Sequence, residues 1–234
     1  MAAGMGYYVV HVPDAVRAKA FYKAVLGWQA DPGDDPEGYY HVGASSPAGG
    51  IGGGASEPGI TTYFMVDDAK ATAAAIRELG GQAPDPSQSA SGWSAECTDD
   101  QGGPFAIWQP ERSYAPDGPP KCDIGDLHYL VVRTGDAERG KAFYGRLFGW
   151  EFSEGNHPSG WNVTNTEPAA GMFGAGEPGP IVAYFRVAQI ESALERVHAA
   201  GGTPGAAQRN AVGWHADCVD DQGTTFSLAS LREP

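Results

Sequence analysis

The chain repeats itself, and that duplication limits its possible folds more than any other feature. The run AFYKAVLGW at 20–28 returns as AFYGRLFGW at 142–150, EPG at 57–59 returns at 177–179, and CTDDQG at 97–102 returns as CVDDQG at 218–223. The offsets are 122, 120 and 121 positions, so the period is close to 120 residues. The 234-residue chain therefore divides into a first domain over 1–112, a linker over 113–123 and a second domain over 124–234. The seam is the Pro/Gly-rich stretch Tyr114–Lys121.

Within each half, strand and helix signals alternate. Residues 6–12 (GYYVVHV) are β-branched and aromatic, end at Pro13 and predict a strand. Asp14 can cap the helix that follows, in which Val16, Ala20, Phe21, Ala24 and Val25 recur at the spacing of one apolar face, and Gly27 stops it. Short strands are expected over 39–44 and 50–55. A second round follows: a strand over 61–66, a capping Asp67 or Asp68, a helix to Leu79 stopped by Gly80-Gly81, and strands over 93–98 and 105–109. Each half is βαβββ twice, so the chain holds four such units in an α+β fold.

Composition narrows the partners. Fifteen Lys and Arg against 29 Asp and Glu leave a net charge of −14. A surface that acidic repels phosphate backbones and anionic lipid, so nucleic acid and membrane surfaces are not expected partners, whereas cationic ligands are attracted. Three cysteines argue against a disulfide framework, and Cys97 and Cys218 occupy equivalent places expected to be buried. No run approaches 18 apolar residues and the N-terminus lacks a basic region before an apolar stretch, so a soluble, cytoplasmic protein is expected. The glycine-rich pieces at 49–54 and 171–176 lack the Lys of a phosphate loop and open no helix; they predict sheet segments with close backbone approach.

The order of elements, with AFY in the first helix, LGW or FGW just after it, and a D-x-x-G turn at 99–102 and 220–223 before the last strand, resembles the glyoxalase/bleomycin-resistance/extradiol-dioxygenase (vicinal oxygen chelate) superfamily. It is similar in particular to the two-repeat actinobacterial glyoxalase-like proteins, and the resemblance covers nearly the whole chain. It implies tandem glyoxalase-like domains whose four βαβββ units form curved mixed sheets with helices outside. It also implies where a metal would be held: a His or Gln in the first strand, a His opening the strand of the second unit, and a Glu in the last strand. Those positions carry Tyr7 and Tyr129, Thr61 and Val182 or a neighbour, and Ala106 and Ser227. A divalent metal needs three or more converging N, O or S donors, which these residues do not supply. No metal and no cofactor are expected. A relocated set of His11, His41 and Glu96 is the alternative.

Relatives in this superfamily bind ligands in the concave face of the sheet. Strand alternation puts Tyr7, Val9 and His11 on that face and turns Tyr8, Val10 and Val12 to the helices. The second half gives Tyr129, Val131 and Arg133 inward, while Tyr63 and Tyr184 lie on partner strands and Trp108 shares a face with Ala106. The candidate ligand-binding residues are Tyr7, His11, His41, Tyr63, Trp108, Tyr129, Tyr184 and Ser227. An aromatic wall with few fixed polar groups suits a small hydrophobic or cationic aromatic ligand. Each aromatic has an ordinary alternative as sheet packing. The expected function is metal-free binding of a drug or metabolite, by a monomer or homodimer. The alternative is an enzyme of the superfamily, a lyase or a hydroxylase/dioxygenase-like protein with its metal absent or relocated.

Overall fold

The computed structural model describes residues 3–33, 38–43, 45–111, 121–174 and 176–232. The linker expected over 113–123 lies outside the described residues through 120, as do Ala44, at the end of the strand expected over 39–44, and Ala175 in the second glycine-rich piece. The four βαβββ modules are present. The first is β1 (Met5–His11), α1 (Ala15–Leu26), β2 (Asp31–Pro32), β3 (Tyr39–Val42) and β4 (Ala48–Gly52). The second is β5 (Gly59–Met65), α2 (Ala69–Glu78), β6 (Ser87–Ser89), β7 (Gly92–Thr98) and β8 (Pro104–Pro110). The third is β9 (Leu127–Thr134), α3 (Ala137–Phe148), β10 (Phe152–Glu154), β11 (Gly160–Val163) and β12 (Ala169–Gly174). The fourth is β13 (Val182–Arg186), α4 (Ile190–Ala199), β14 (Thr203–Pro204), β15 (Gln208–Arg209), β16 (Gly213–Val219) and β17 (Thr225–Leu231). Among the described residues no helix is long and apolar enough to cross a membrane.

The strands run in the orders β2-β3-β4-β1, β5-β8-β7-β6, β10-β11-β12-β9 and β13-β17-β16-β14, with β15 beside β16. Pairing is mixed: the strand on each side of the helix crossover is parallel (β1 with β4, β9 with β12), and the hairpins are antiparallel. Capping follows sequence chemistry. Asp14 accepts from the backbone N–H groups of Val16 and Arg17, and Gly27 ends α1 at φ 77°, a left-handed conformation that glycine adopts without a Cβ clash. Asp68, rather than Asp67, caps α2.

The apolar face of α1 departs from expectation. Val16 is 52% exposed, and Ala20 and Ala24 are exposed as well, while Ala15, Ala18, Phe21, Tyr22, Val25 and Leu26 are buried. The aromatic pair at 21 and 22 fixes the phase of the helix, because each ring buries far more apolar area than an alanine methyl. On β1 the alternation holds: Tyr8, Val10 and Val12 are fully buried on the helix side.

Packing divides the chain into two compact units that cut across the repeats. One takes in the described residues of 1–6, 61–119 and 129–182, the other those of 7–60, 120–128 and 183–234. Each unit therefore joins half of one repeat to half of the other, and the duplicated motifs are what join them. In the second unit, Tyr22 stacks on Trp28 at 4.9 Å and donates its hydroxyl to Asp220 at 3.0 Å. Trp28 Nε1 donates to Gly125 O at 2.8 Å. Gln222 binds the backbone of Asp14 at both ends of its amide, and Arg17 pairs with Asp221 at 2.8 Å. The first unit repeats each contact with the halves exchanged. Tyr144 stacks on Trp150 at 5.3 Å and donates to Asp99 at 3.1 Å, Trp150 donates to Ala3 O at 2.9 Å, Gln101 binds the backbone of Asp136, and Arg139 pairs with Asp100. AFY, GW and DDQG are thus parts of a reciprocal joint, and the buried aromatic clusters behind them form the two cores.

Candidate functional site

The residues singled out from sequence lie on the sheet faces opposite the helices. In the first module Tyr7 is the centre of a small polar cluster. Its hydroxyl donates to Gly49 O at 2.9 Å and lies 3.0 Å from Tyr39 Oη and 3.2 Å from His41 Nδ1. Because a phenol has one proton, donation to Gly49 makes Tyr39 and His41 the donors to Tyr7 Oη. His41 Nδ1 then carries a proton, and Nε2 lies beside Gly33. Burial raises the Tyr39 hydroxyl above its ordinary pKa, only partly offset by its hydrogen bond with Tyr7, so it remains neutral near pH 7.

The glycine-rich β4 makes this cluster possible. A Cβ at Gly50 would overlap the Tyr39 ring and stand 3.0 Å from Tyr7 Oη, and one at Gly52 would meet Val9, Tyr39 and His11 at 3.6–3.8 Å. The glycines are a floor on which the rings lie, as the sequence predicts, rather than an anion loop. His11 follows Tyr7 four residues later on β1, opposite Gly52 in register.

The equivalent face of the third module keeps the first element and loses the rest. Tyr129 lies over Gly171, which has no room for a Cβ beneath the phenol, and burial raises its hydroxyl pKa. Asn162 pairs with Gly171 as His41 pairs with Gly50, so Asn162 replaces His41 and Gly160 replaces Tyr39.

The remaining candidates fall on the second and fourth modules. Tyr63 pairs with Ala106, and Met65 with Trp108, whose Nε1 donates to Ser91 O at 3.1 Å. In the fourth module Tyr184 pairs with Ser227, and Ser227 Oγ donates to Asp217 Oδ1 at 2.6 Å. His215 stands 6.1 Å from Tyr184, ring centre to ring centre.

The ligand positions implied by the family do not form a donor set. Tyr7 has its hydroxyl engaged by Gly49, Tyr39 and His41, Ala106 has no donor, and the Ser227 hydroxyl is fully buried and turned to Asp217. Among the described residues no group of three or more His, Cys, Asp or Glu converges on a point, so His11, His41 and Glu96 do not assemble a relocated site either. The residues present do not fit a divalent metal.

Sequence reasoning missed Tyr39 and Asp217. Tyr39 was accessible through alternation, standing two residues before His41 on one strand. Asp217 required the register of β16 on β17, which no local signal carries. A separate cavity of about 420 Å³ is lined by Lys70, Arg77, Asp85, Pro86 and Trp93 and contains none of the eight candidates. Its charged groups have structural partners: Lys70 stands over the Trp93 ring and Arg77 pairs with Asp85.

A family model described as a glyoxalase-like domain matches residues 7–108 and again 129–229. No curated protein matches by sequence. Among solved structures, the chain is similar to the 2,3-dioxygenase LapB from Pseudomonas sp. KL28, at 14% identity and TM-score 0.70 over 100% of this chain and 94% of that one. It is similar to the Mn(II)-bound glyoxalase from Novosphingobium aromaticivorans, at 16% identity and TM-score 0.72 over 99% and 83%. A catechol 2,3-dioxygenase matches at 13% identity and TM-score 0.65 over 100% and 94%. These neighbours are extradiol dioxygenases and glyoxalases of the vicinal oxygen chelate superfamily, and at such identities they bear on fold alone.

Proposed function

The chain belongs to the glyoxalase-like domain family, and from that premise we propose that it binds a small hydrophobic or cationic aromatic compound without a metal, in the manner of bleomycin-resistance proteins. The observation that carries this reading is the Tyr7–Tyr39–His41 cluster on its glycine floor. It stands where the family implies a metal ligand, and it presents ring faces and one imidazole instead of a converging donor set. Ring faces attract cations and planar groups. The net charge of −14 raises the local concentration of a cationic ligand. In this proposal His11 and Tyr184 are further lining residues in the unit that holds the cluster, Ser227 backs them with its hydroxyl held by Asp217, and Tyr63, Trp108 and Tyr129 line the inner face of the other unit by itself; a soluble protein acting as monomer or homodimer is its setting.

The test is a calorimetric titration of a panel of cationic aromatic compounds into the wild type and into Tyr7→Phe and His41→Ala. The reading expects saturable binding that weakens about tenfold in each variant, the equivalent of one hydrogen bond or ring contact. Conversion of a bound compound, with turnover falling a hundredfold or more in His41→Ala while affinity holds, would replace the binding function with acid/base catalysis.

A further inference from the structure

Cys122, just before β9, is set apart from the other two cysteines by its neighbours. Its Sγ lies 3.2 Å from His128 Nδ1, and Arg186 Nη1 lies 3.9 Å from the same sulfur and donates to the Cys122 carbonyl. Cys122 is half-buried, whereas Cys97 and Cys218 are 5% and 1% exposed. Neither buried thiol has such a pair, and burial pushes the Cys97 thiol up to about 12 and raises Cys218. None of the three residues of this cluster belongs to the proposed ligand-binding set.

We propose that Cys122 is the reactive nucleophile of this protein, with His128 as its general base and Arg186 as the counter-charge to the forming thiolate, and that it captures soft carbon electrophiles. A thiolate, not a thiol, attacks carbon, so a base within hydrogen-bond reach and a fixed cation both lower the barrier. Burial, then the positive charge of Arg186, holds the imidazole below its ordinary pKa, which keeps it neutral and able to accept a proton. The resting pair is a thiol donating to Nδ1. During capture the S–H proton passes to Nδ1 as the S–C bond forms. With iodoacetamide the C–I bond breaks, iodide leaves with the bonding pair, and the imidazolium later returns its proton to water.

The experiment is alkylation of the full-length chain with limiting iodoacetamide near pH 7, with adducts assigned by peptide mass mapping. Cys122 should react about tenfold faster than N-acetylcysteine, with Cys97 and Cys218 unlabelled over the same interval. His128→Ala should lower the Cys122 rate about tenfold, and Cys122→Ser should abolish fast labelling. A wild-type Cys122 that reacts no faster than N-acetylcysteine would overturn the proposal, and that comparison needs no variant. A folded His128→Ala chain, by circular dichroism, that keeps the wild-type rate would overturn the assigned base.

Discussion

The helix-side joints and the inner sheet faces of this chain descend from the same duplication and differ in how much of it they keep. At the joints, Tyr22, Trp28 and Asp220 in one unit match Tyr144, Trp150 and Asp99 in the other, contact for contact. On the inner faces, Tyr7 matches Tyr129, but Tyr39 and His41 are replaced by Gly160 and Asn162, His11 by Arg133, and Trp108 by Ala229. The joints are reciprocal: each repeat supplies the helix for one and the acidic turn for the other, so a change in either motif unbalances a buried contact. No such mutual constraint ties one inner face to the other. The repeated motifs of this chain therefore report architecture, and function is to be sought where the repeats disagree.

The largest effects should fall at the joints and fall equally. Trp28→Ala removes a ring that is 4% exposed, stacked on Tyr22 and hydrogen-bonded to Gly125. It should cost about 3–5 kcal/mol, and Trp150→Ala about the same, as measured by urea unfolding. Unequal losses would break the comparison. Asp99→Ala leaves the Tyr144 hydroxyl and the Gln101 and Gly103 backbone N–H groups without their acceptor, and should cost about 2–3 kcal/mol. Asp220→Ala should match it.

The joints also set an alkaline limit. Burial, and then the negative charge of Asp220 or Asp99, raises the Tyr22 and Tyr144 hydroxyls well above the ordinary value. A raised folded pKa means that the full stabilisation is present below the unfolded tyrosine pKa of about 10 and is lost as pH rises toward the folded value. Unfolding free energy should therefore decline above about pH 10, and Tyr22→Phe or Tyr144→Phe should flatten that decline. The smallest effect belongs to the exposed ion pair: Arg17 is 57% exposed against 15% for Asp221, so Arg17→Ala should cost under about 1 kcal/mol and less at high salt. On the inner faces the prediction is asymmetry. Tyr7→Phe should weaken ligand binding about tenfold, since it disconnects Tyr39 and His41, and Tyr129→Phe should act differently, since Gly160 and Asn162 stand at the positions of Tyr39 and His41.

Most of the architecture was legible in the sequence because its signals are local. Asp14 and Gly27 mark the ends of α1, and the offsets of the repeated motifs mark the duplication. The phase of α1 was misread through Val16, Ala20 and Ala24, because alanine carries too little apolar area to decide which face is buried. The reciprocity of the joints was hidden, since nothing local says that Tyr22 meets an aspartate 198 positions away. Of the inner face, Tyr7 and His11 follow from alternation and His41 from its place on a neighbouring strand, while Asp217 opposite Ser227 depends on cross-strand register.

Whether the inner faces hold ligands without metal is decided by elemental analysis followed by calorimetric titration with Mn(II), Fe(II), Ni(II) and Zn(II). The isolated protein should carry no stoichiometric metal and give no saturable heat with any of the four ions. One tightly bound ion per chain, lost in Tyr7→Phe or His41→Ala, would contradict this and make the cluster around Tyr7 a metal site.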